Sequence, residues 1–307
     1  MLMYVLLLLG FVFLVKGADF FVEGSSSVAK LLGVPSVIIG LTIVAMGTSA
    51  PELAVSVTAG LAGSNEIAVS NVIGSNLFNM LVVAGVCAAI KAFAVDKDIL
   101  HRDFPVNLGA CVLVLVLVLI GGGLGRIDGV ILLIGMAAYL IYVVGNALKN
   151  RQTGEDVETL TPLRSGIYIV VGLIAIIFGG NLVVDNAVLI AQSWGWSETF
   201  IGLTIIAIGT SLPELVTSVV AARRGDSGLA LGNVVGSNIF NLMMILGLSS
   251  VLSPIAVPSD SVIDIVILTI SSLALFLWCR WKKQISRPAG ITCILLYVAY
   301  TVYLVMR

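Results

Sequence analysis

Apolar residues fill this chain in long runs, broken by short clusters of glycine, proline and charged residues. One helical crossing of a bilayer needs about 20 residues. On that measure the pattern predicts helices near 2–24, 34–60, 66–90, 104–121 and 127–148, and a second set near 165–190, 198–222, 227–252, 260–281 and 288–306. Five spans precede the hydrophilic segment Lys149–Arg164 and five follow it. The expected fold class is all-α, a polytopic membrane protein of ten transmembrane helices.

The two sets are copies of one another. Gly40-Leu-Thr-Ile-Val-Ala-Met-Gly-Thr-Ser-Ala-Pro-Glu52 returns 162 residues later as Gly202-Leu-Thr-Ile-Ile-Ala-Ile-Gly-Thr-Ser-Leu-Pro-Glu214. Between Ile39–Met80 and Ile201–Leu242, 24 of 42 positions are identical without a gap. Weaker echoes pair Gly17-Ala-Asp19 with Gly179-Gly-Asn181, and Tyr139-Leu-Ile-Tyr142 with Tyr300-Thr-Val-Tyr303. The chain therefore divides into a five-helix repeat over 1–148, a cytoplasmic linker over 149–164 and a second five-helix repeat over 165–307. Five is odd, so the second copy enters the membrane from the opposite side, the inverted-topology arrangement of secondary transporters.

Charge tests that topology independently. If the N-terminus lies outside, the inside segments after spans 1, 3, 5, 7 and 9 hold 2, 3, 3, 2 and 4 Lys and Arg residues, and the outside segments hold only Arg126 and Arg307. An excess of that size sets orientation, so both termini are expected outside, in a multi-pass plasma (inner) membrane protein. Composition agrees: 59% of the 307 residues are hydrophobic, 11% are charged, and the mean hydropathy is +1.13, too few charges to cover a soluble surface. A net charge of −1 without a basic patch gives no sign of nucleic-acid binding. Cys87, Cys111, Cys279 and Cys293 lie in apolar runs without CxxC spacing and read as small apolar fillers. The apolar N-terminus lacks a basic leader region and reads as a retained first helix.

Each repeat carries a glutamate in the middle of an apolar span, where insertion costs roughly 2.5–3.5 kcal/mol and the default reading is an ion or substrate pathway. In span 2, Thr42, Ala45, Ser49, Glu52 and Ser56 recur at steps of three and four and share one helix face. Thr204, Ala207, Ser211, Glu214 and Ser218 repeat the stripe in span 7. Pro51 and Pro213 each remove a backbone donor just before the glutamate, which is expected to free carbonyls near Ala45, Gly47 and Thr48, and near Ala207, Gly209 and Thr210. The following spans bring Asn71-Val-Ile-Gly-Ser-Asn-Leu-Phe-Asn79 and Asn233-Val-Val-Gly-Ser-Asn-Ile-Phe-Asn241. Asn71, Ser75 and Asn79 share a face, as do Asn233, Ser237 and Asn241, while Gly74 and Gly236 admit close backbone approach.

Every donor in that set is a hard oxygen, the chemistry of Ca2+ and Na+. Two ionised glutamates balance one Ca2+ or two monovalent ions, and repulsion in low dielectric opposes holding both kinds at once. Competition for shared ligands is a physical basis for antiport.

The duplicated G-T-S-x-P-E and G-S-N-x-F-N blocks, with the ten-span inverted repeat, resemble the prokaryotic sodium/calcium exchanger family of the cation/Ca2+ antiporter superfamily. The resemblance covers essentially the whole chain. It implies a secondary antiporter working by alternating access, expected to extrude Ca2+ and to need no cofactor, with Ca2+ and Na+ as the transported ions. It places Ca2+ ligands on Glu52, Glu214 and the Thr48 and Thr210 carbonyls. Na+ ligands fall on Ala45, Ser49, Ser75, Ala207, Ser211 and Ser237, with the glutamates shared; Asn79 and Asn241 complete the candidate set. It also implies that the first and sixth helices, Met1–Glu23 and Ser165–Asp185, slide across the rest. Many members carry an aspartate where this chain has Asn79 or Asn241, so two carboxylates remain here instead of three. The linker is too short for a Ca2+-sensing domain. Beyond the ions and the lipid bilayer, no obligate protein partner is expected.

Other readings stay open beside it. Ca2+/H+ exchange or K+-dependent Na+/Ca2+ exchange would use the same glutamates, and a cation channel could too. An enzyme is disfavoured, because a serine protease would need a base for Ser49 or Ser211 and the single histidine, His101, sits in a loop. Thr42 and Ser56 are as readily explained by back-bonding within their helix. Asn76 and Asn238 read as packing or cap residues. Asp19, Glu23 and Asp185 read as solvated helix ends, and Asp96, Asp98, Asp103, Asp260 and Asp264 as solvated loop charges.

Overall fold

The computed structural model describes residues 2–149, 159–196 and 207–306. Its long helices are α1 (Leu2–Leu32), α2 (Ser36–Thr48), α3 (Ala50–Leu61), α4 (Ile67–Ile90), α5 (Ile99–Gly121), α6 (Arg126–Lys149) and α7 (Pro162–Ser193). A short turn, α8 (Ala207–Gly209), leads into α9 (Leu212–Arg223), followed by α10 (Ser227–Leu252), α11 (Ser259–Lys282) and α12 (Arg287–Met306). Among the described residues eight helices are long and apolar enough to cross a membrane, and α2 with α3 makes a further crossing bent by 48°. The expected span over 198–222 begins on residues 197–206, outside the described residues; α8 and α9 are its described part. The fold is the expected ten-helix inverted repeat.

Two-residue strands mark the symmetry. β1 (Phe93–Ala94) pairs antiparallel with β4 (Gln284–Ile285), and β2 (Gly123–Leu124) with β3 (Ile255–Ala256). β1 and β3 hold equivalent places in the two repeats, as do β2 and β4. Each ladder thus joins one repeat to the other, and the two lie at opposite ends of the bundle. We call these ends the linker face (β1 and β4) and the terminal face (β2 and β3, with both chain termini).

Glycine lets the repeats interlock. A Cβ on Gly129 of α6 would lie 2.6 Å from the Gly247 carbonyl of α10, and one on Gly85 of α4 would lie 2.8 Å from the Gly290 carbonyl of α12. The last helix of each repeat therefore packs on the third crossing of the other. Small residues at such crossings bring backbones close where lipid offers no hydrophobic drive.

α1 and α7 run antiparallel along their whole length. Gly10, Gly17 and Gly24 meet Gly179, Gly172 and Ser165 in one heptad register, each added Cβ on α1 coming within 2.8–2.9 Å of the facing carbonyl. This pairing carries α1 past its expected end near 24 to Leu32, burying Ser25 and Ser27. The linker's far end is tied down there as well, with the Leu160 amide donating to Ser27 Oγ at 3.0 Å.

Two further expectations change. Asp103 is fully buried, gripped by Arg102 at 2.7 and 3.0 Å and by the Tyr139 hydroxyl at 3.0 Å, so it ties α5 to α6 instead of facing solvent. Asp264, its counterpart on α11, is also buried. Both lie one turn inside a crossing, where a carboxylate needs a partner.

Gly172 tests the backbone contact. A Cβ there would sit 2.6 Å from the Phe21 amide, so Gly172→Val should destabilise the protein by about 1–3 kcal/mol. Gly109→Ala, with nothing within 4 Å, should leave the melting temperature in detergent unchanged or raised.

Candidate functional site

The bend between α2 and α3 arises at Ser49 (φ −83°, ψ 10°), two residues before Pro51. Pro51 supplies no amide to the Gly47 carbonyl four residues back. The Ala45 carbonyl is not stripped, however: it accepts the Ser49 amide at 3.1 Å and the Thr48 hydroxyl at 3.4 Å. In the second copy Ser211 takes nearly the same conformation (φ −92°, ψ 7°) before Pro213. The first turn of α3 thereby presents Glu52, and that of α9 presents Glu214, both fully buried.

The two carboxylates are held across the repeats. Ser49 of the first repeat donates to Glu214 Oε1 at 2.9 Å, and Ser211 of the second donates to Glu52 Oε1 at 3.3 Å. Ser75 also donates to Glu52 Oε1, at 3.2 Å, and lies 2.9 Å from Ser211, whose single hydroxyl proton it shares with that carboxylate. Neither half can assemble this arrangement alone.

Asparagines of α4 and α10 brace it. Asn71 donates to the Glu52 carbonyl (3.2 Å) and to Ser56 Oγ (2.9 Å), and Asn233 donates likewise to the Glu214 carbonyl (3.5 Å) and Ser218 (3.0 Å). Their amide oxygens accept from the opposite repeat, Asn71 from Thr210 (3.4 Å) and Asn233 from Thr48 (3.1 Å). Asn76 and Asn238 exchange amide-to-carbonyl bonds of 3.2 Å each way, a reciprocal tie between α4 and α10 that matches their packing role.

Of the residues singled out in the sequence, Thr48, Glu52, Ser75, Asn79, Glu214, Ser237 and Asn241 are buried on α2, α3, α4, α9 and α10, and Ser49 and Ser211 are buried at the bends before α3 and α9. Ala45 is buried beside them on α2, Thr210 is half-buried between α8 and α9, and Ala207 opens α8 with its side chain outside the described residues. Thr42 back-bonds to the Ile38 carbonyl at 2.7 Å, whereas Ser56 reaches across to α4. Gly236 approaches the Leu41 backbone closely, whereas a Cβ on Gly74 would meet nothing within 4 Å among the described residues. α4 and α10 also switch to π-helical turns at Asn79–Val83 and Phe240–Ile245, a device common at functional sites.

Acceptors remain over. Among the described residues Glu52 Oε2, Glu214 Oε2, Asn79 Oδ1, Ser237 Oγ and Asn241 Oδ1 are buried with no hydrogen-bond partner. Asn241 spends its amide nitrogen on Ser75 (3.3 Å) and Asn76 (3.0 Å), so its free oxygen is a pure acceptor. Buried unpaired acceptors are costly, and a cation is one group that such oxygens can coordinate. Among the described residues no three His, Cys, Asp or Glu side chains converge, so the set offers two carboxylates and neutral oxygens. That suits a hard cation and not a thiolate- or imidazole-seeking one.

Among the described residues two cavities flank the site, and the one at the linker face, about 790 Å³ and lined by Glu23, Lys30, Arg224 and Asp226, stops at a packed layer. The other, of about 330 Å³ towards the terminal face, is lined by Ala54, Val55, Asn181 and Thr210 and by both prolines, Pro51 and Pro213. The equivalent positions towards the linker face include Ala18, Val22 and Thr217, which are packed at 0–1% exposure. There Arg224, just beyond α9, bridges Asp19 (3.1 Å) and Glu23 (3.3 Å) of α1, so these acids are paired and not merely solvated ends. Asp226 caps α10 through the Leu229 amide and accepts from Ser26 (3.0 Å) and Ser36 (2.6 Å). Sequence reasoning had counted Arg224 only as loop charge and passed over Asp226, whose place one residue before α10 is a capping signal.

Comparison with known proteins agrees with this architecture. A sequence model of the family described as sodium/calcium exchanger protein matches residues 2–145 and 164–306. Sodium/calcium exchanger MaX1 of Methanosarcina acetivorans is 34% identical, the match covering 98% of each chain. Inner membrane protein YrbG of Escherichia coli is 35% identical over 98% of this chain and 95% of its own. The solved structure of the sodium-calcium exchanger NCX_Mj, soaked with 2.5 mM Na+ and 0.1 mM Ca2+, superposes with a TM-score of 0.87 at 34% identity, covering 97% of each chain.

Proposed function

This chain belongs to the sodium/calcium exchanger family, and from that premise we propose that it is an antiporter that moves Ca2+ against Na+ through the Glu52–Glu214 site. The observation that carries the reading is the exchange of serine donors between repeats, which fixes one oxygen of each glutamate and leaves the other unpaired among neutral acceptors. Ca2+ takes 6–8 oxygens in flexible geometry. Glu52, Glu214 and the Thr48 and Thr210 carbonyls would hold it. Na+ would share the glutamates and use Ser49, Ser75, Ser211, Ser237 and the Ala45 and Ala207 positions, with Asn79 and Asn241 adding neutral oxygens between.

With only two carboxylates, one Ca2+ neutralises the site and so do two Na+, so either load lowers the cost of carrying the glutamates through the membrane interior. A half-loaded site keeps a net charge in low dielectric, which opposes uncoupled leakage. The linker face, whose segments carry most of the Lys and Arg residues, would be cytoplasmic, putting both termini outside and the open cavity towards the exterior. Under the usual ion gradients Na+ would enter and Ca2+ leave. The site is internal to one chain, which favours a carrier over a channel built around an axis of subunits.

Reconstitution tests the coupling. Proteoliposomes loaded with Na+ and diluted into Na+-free medium should take up radioactive Ca2+, and vesicles loaded with K+ or held across a proton gradient should not. Uptake driven by the proton gradient alone would assign Ca2+/H+ exchange, uptake requiring K+ together with Na+ the K+-dependent class, and uptake without any counter-ion a channel. Glu52→Gln and Glu214→Gln should each abolish Ca2+ uptake, since each removes half the charge of the site; retained transport in both variants would exclude it.

A further inference from the structure

The repeats are nearly identical around the glutamates, yet the cavity beside Pro51 and Pro213 reaches them from the terminal face, while the linker-face cavity stops above the packed Ala18, Val22 and Thr217. Where the two copies match, they cannot favour one mouth over the other. The bias has to come from positions at which they differ, and the largest chemical difference lies at the linker face. Arg224 stands where the first repeat has Ala62, Asp226 where it has Ser64, and Asp19 where the second repeat has Asn181.

Interchanging the conformations of two inverted repeats generates the opposite-facing state. The present cavity separates Gly180–Val184 of α7 from Ala50–Val55 of the first repeat. After the interchange a cavity would separate Ala18–Val22 of α1 from Leu212–Thr217 of α9. Those are the two elements that Arg224 joins, from its place at the end of α9 to Asp19 and Glu23 on α1. Asp226 adds bonds to Ser26 at the end of α1 and Ser36 at the start of α2. The terminal mouth has Ala62 at the corresponding place, so it has no such clasp to release.

We propose that Arg224 is the gate residue of the linker-face mouth: paired with Asp19 and Glu23 it holds that mouth shut, and its release sets how often the carrier faces the linker side. The proposal rests on the alternating-access reading above, but not on which ion is coupled. Arg224 touches none of the candidate ligands; it acts by positioning α1 against α9.

Single-cysteine reporters read the two states directly, because the four native cysteines are buried. Ala54→Cys reports the terminal-face cavity, and Val216→Cys, its repeat equivalent, reports the linker-face one. In vesicles the ratio of their labelling rates by a membrane-impermeant maleimide, applied from the matching side, gives the balance of states. Arg224→Ala should shift that ratio towards the linker face by roughly threefold, the scale of two partly exposed ion pairs. Arg224→Glu, which replaces attraction by repulsion, should shift it by about tenfold. The pair Arg224→Glu with Glu23→Arg should return it towards the parent value, a rescue that general loosening of the fold would not produce.

An unchanged ratio in both single variants, or no recovery in the charge swap, overturns the clasp. Should Arg224→Ala fail to fold, Arg224→Lys and the charge swap carry the same comparison. If Na+-driven uptake is absent from the unmutated protein while the ratio moves as described, the sodium coupling fails and the gate stands.

Discussion

Everything in this protein is arranged around two glutamates kept inside a bilayer. A carboxylate there is tolerated only with donors around it, and the chain supplies them crosswise, Ser49 to Glu214 and Ser211 to Glu52. The prolines at 51 and 213 turn the first helical turn of each half towards the centre, and the asparagines at 71 and 233 fasten each glutamate's own backbone. Removing any of these costs more than its own bond, because the acceptor it served is left buried and unpaired.

The crosswise arrangement explains why the repeats interlock instead of packing as two bodies. α6 seats on α10 and α12 on α4 through facing glycines, and each β ladder joins one repeat to the other. A site shared by both halves can then be exposed to either face by an equivalent change in one half or the other. α1 and α7 form a separate layer, zipped by glycines and an aligned serine along their length. Towards the linker face the repeats differ in charge, and there Arg224 pairs with Asp19 and Glu23 of α1.

Much of this was legible in the sequence because duplication makes a motif its own control. Glu52 and Glu214, the serine stripes and the asparagine blocks stand out since two copies agree, and helical spacing alone puts them on shared faces. What could not be read is which half supplies the partner: nothing in the spacing says that Ser49 serves Glu214 and not Glu52, since that depends on how two bent helices cross. The apolar run ends near residue 24, and only packing against α7 carries α1 through Gly24-Ser-Ser-Ser27 to Leu32. Asp103 looked solvated because its partners, Arg102 and Tyr139, come from an adjacent residue and from a helix 36 positions away. The Arg224 clasp escaped notice for the opposite reason, having no echo in the other repeat.

If Ca2+ and Na+ compete for one set of oxygens built from both repeats, equilibrium binding of radioactive Ca2+ to the purified protein in detergent, with Na+ titrated in against K+ at equal ionic strength, will show it. Na+ should displace Ca2+ completely and with a Hill slope above one, because more than one Na+ replaces each Ca2+, while K+ leaves it bound. Ca2+ that stays bound under a large excess of Na+ would mean that the two ions do not share the Glu52–Glu214 site, and the account would fail.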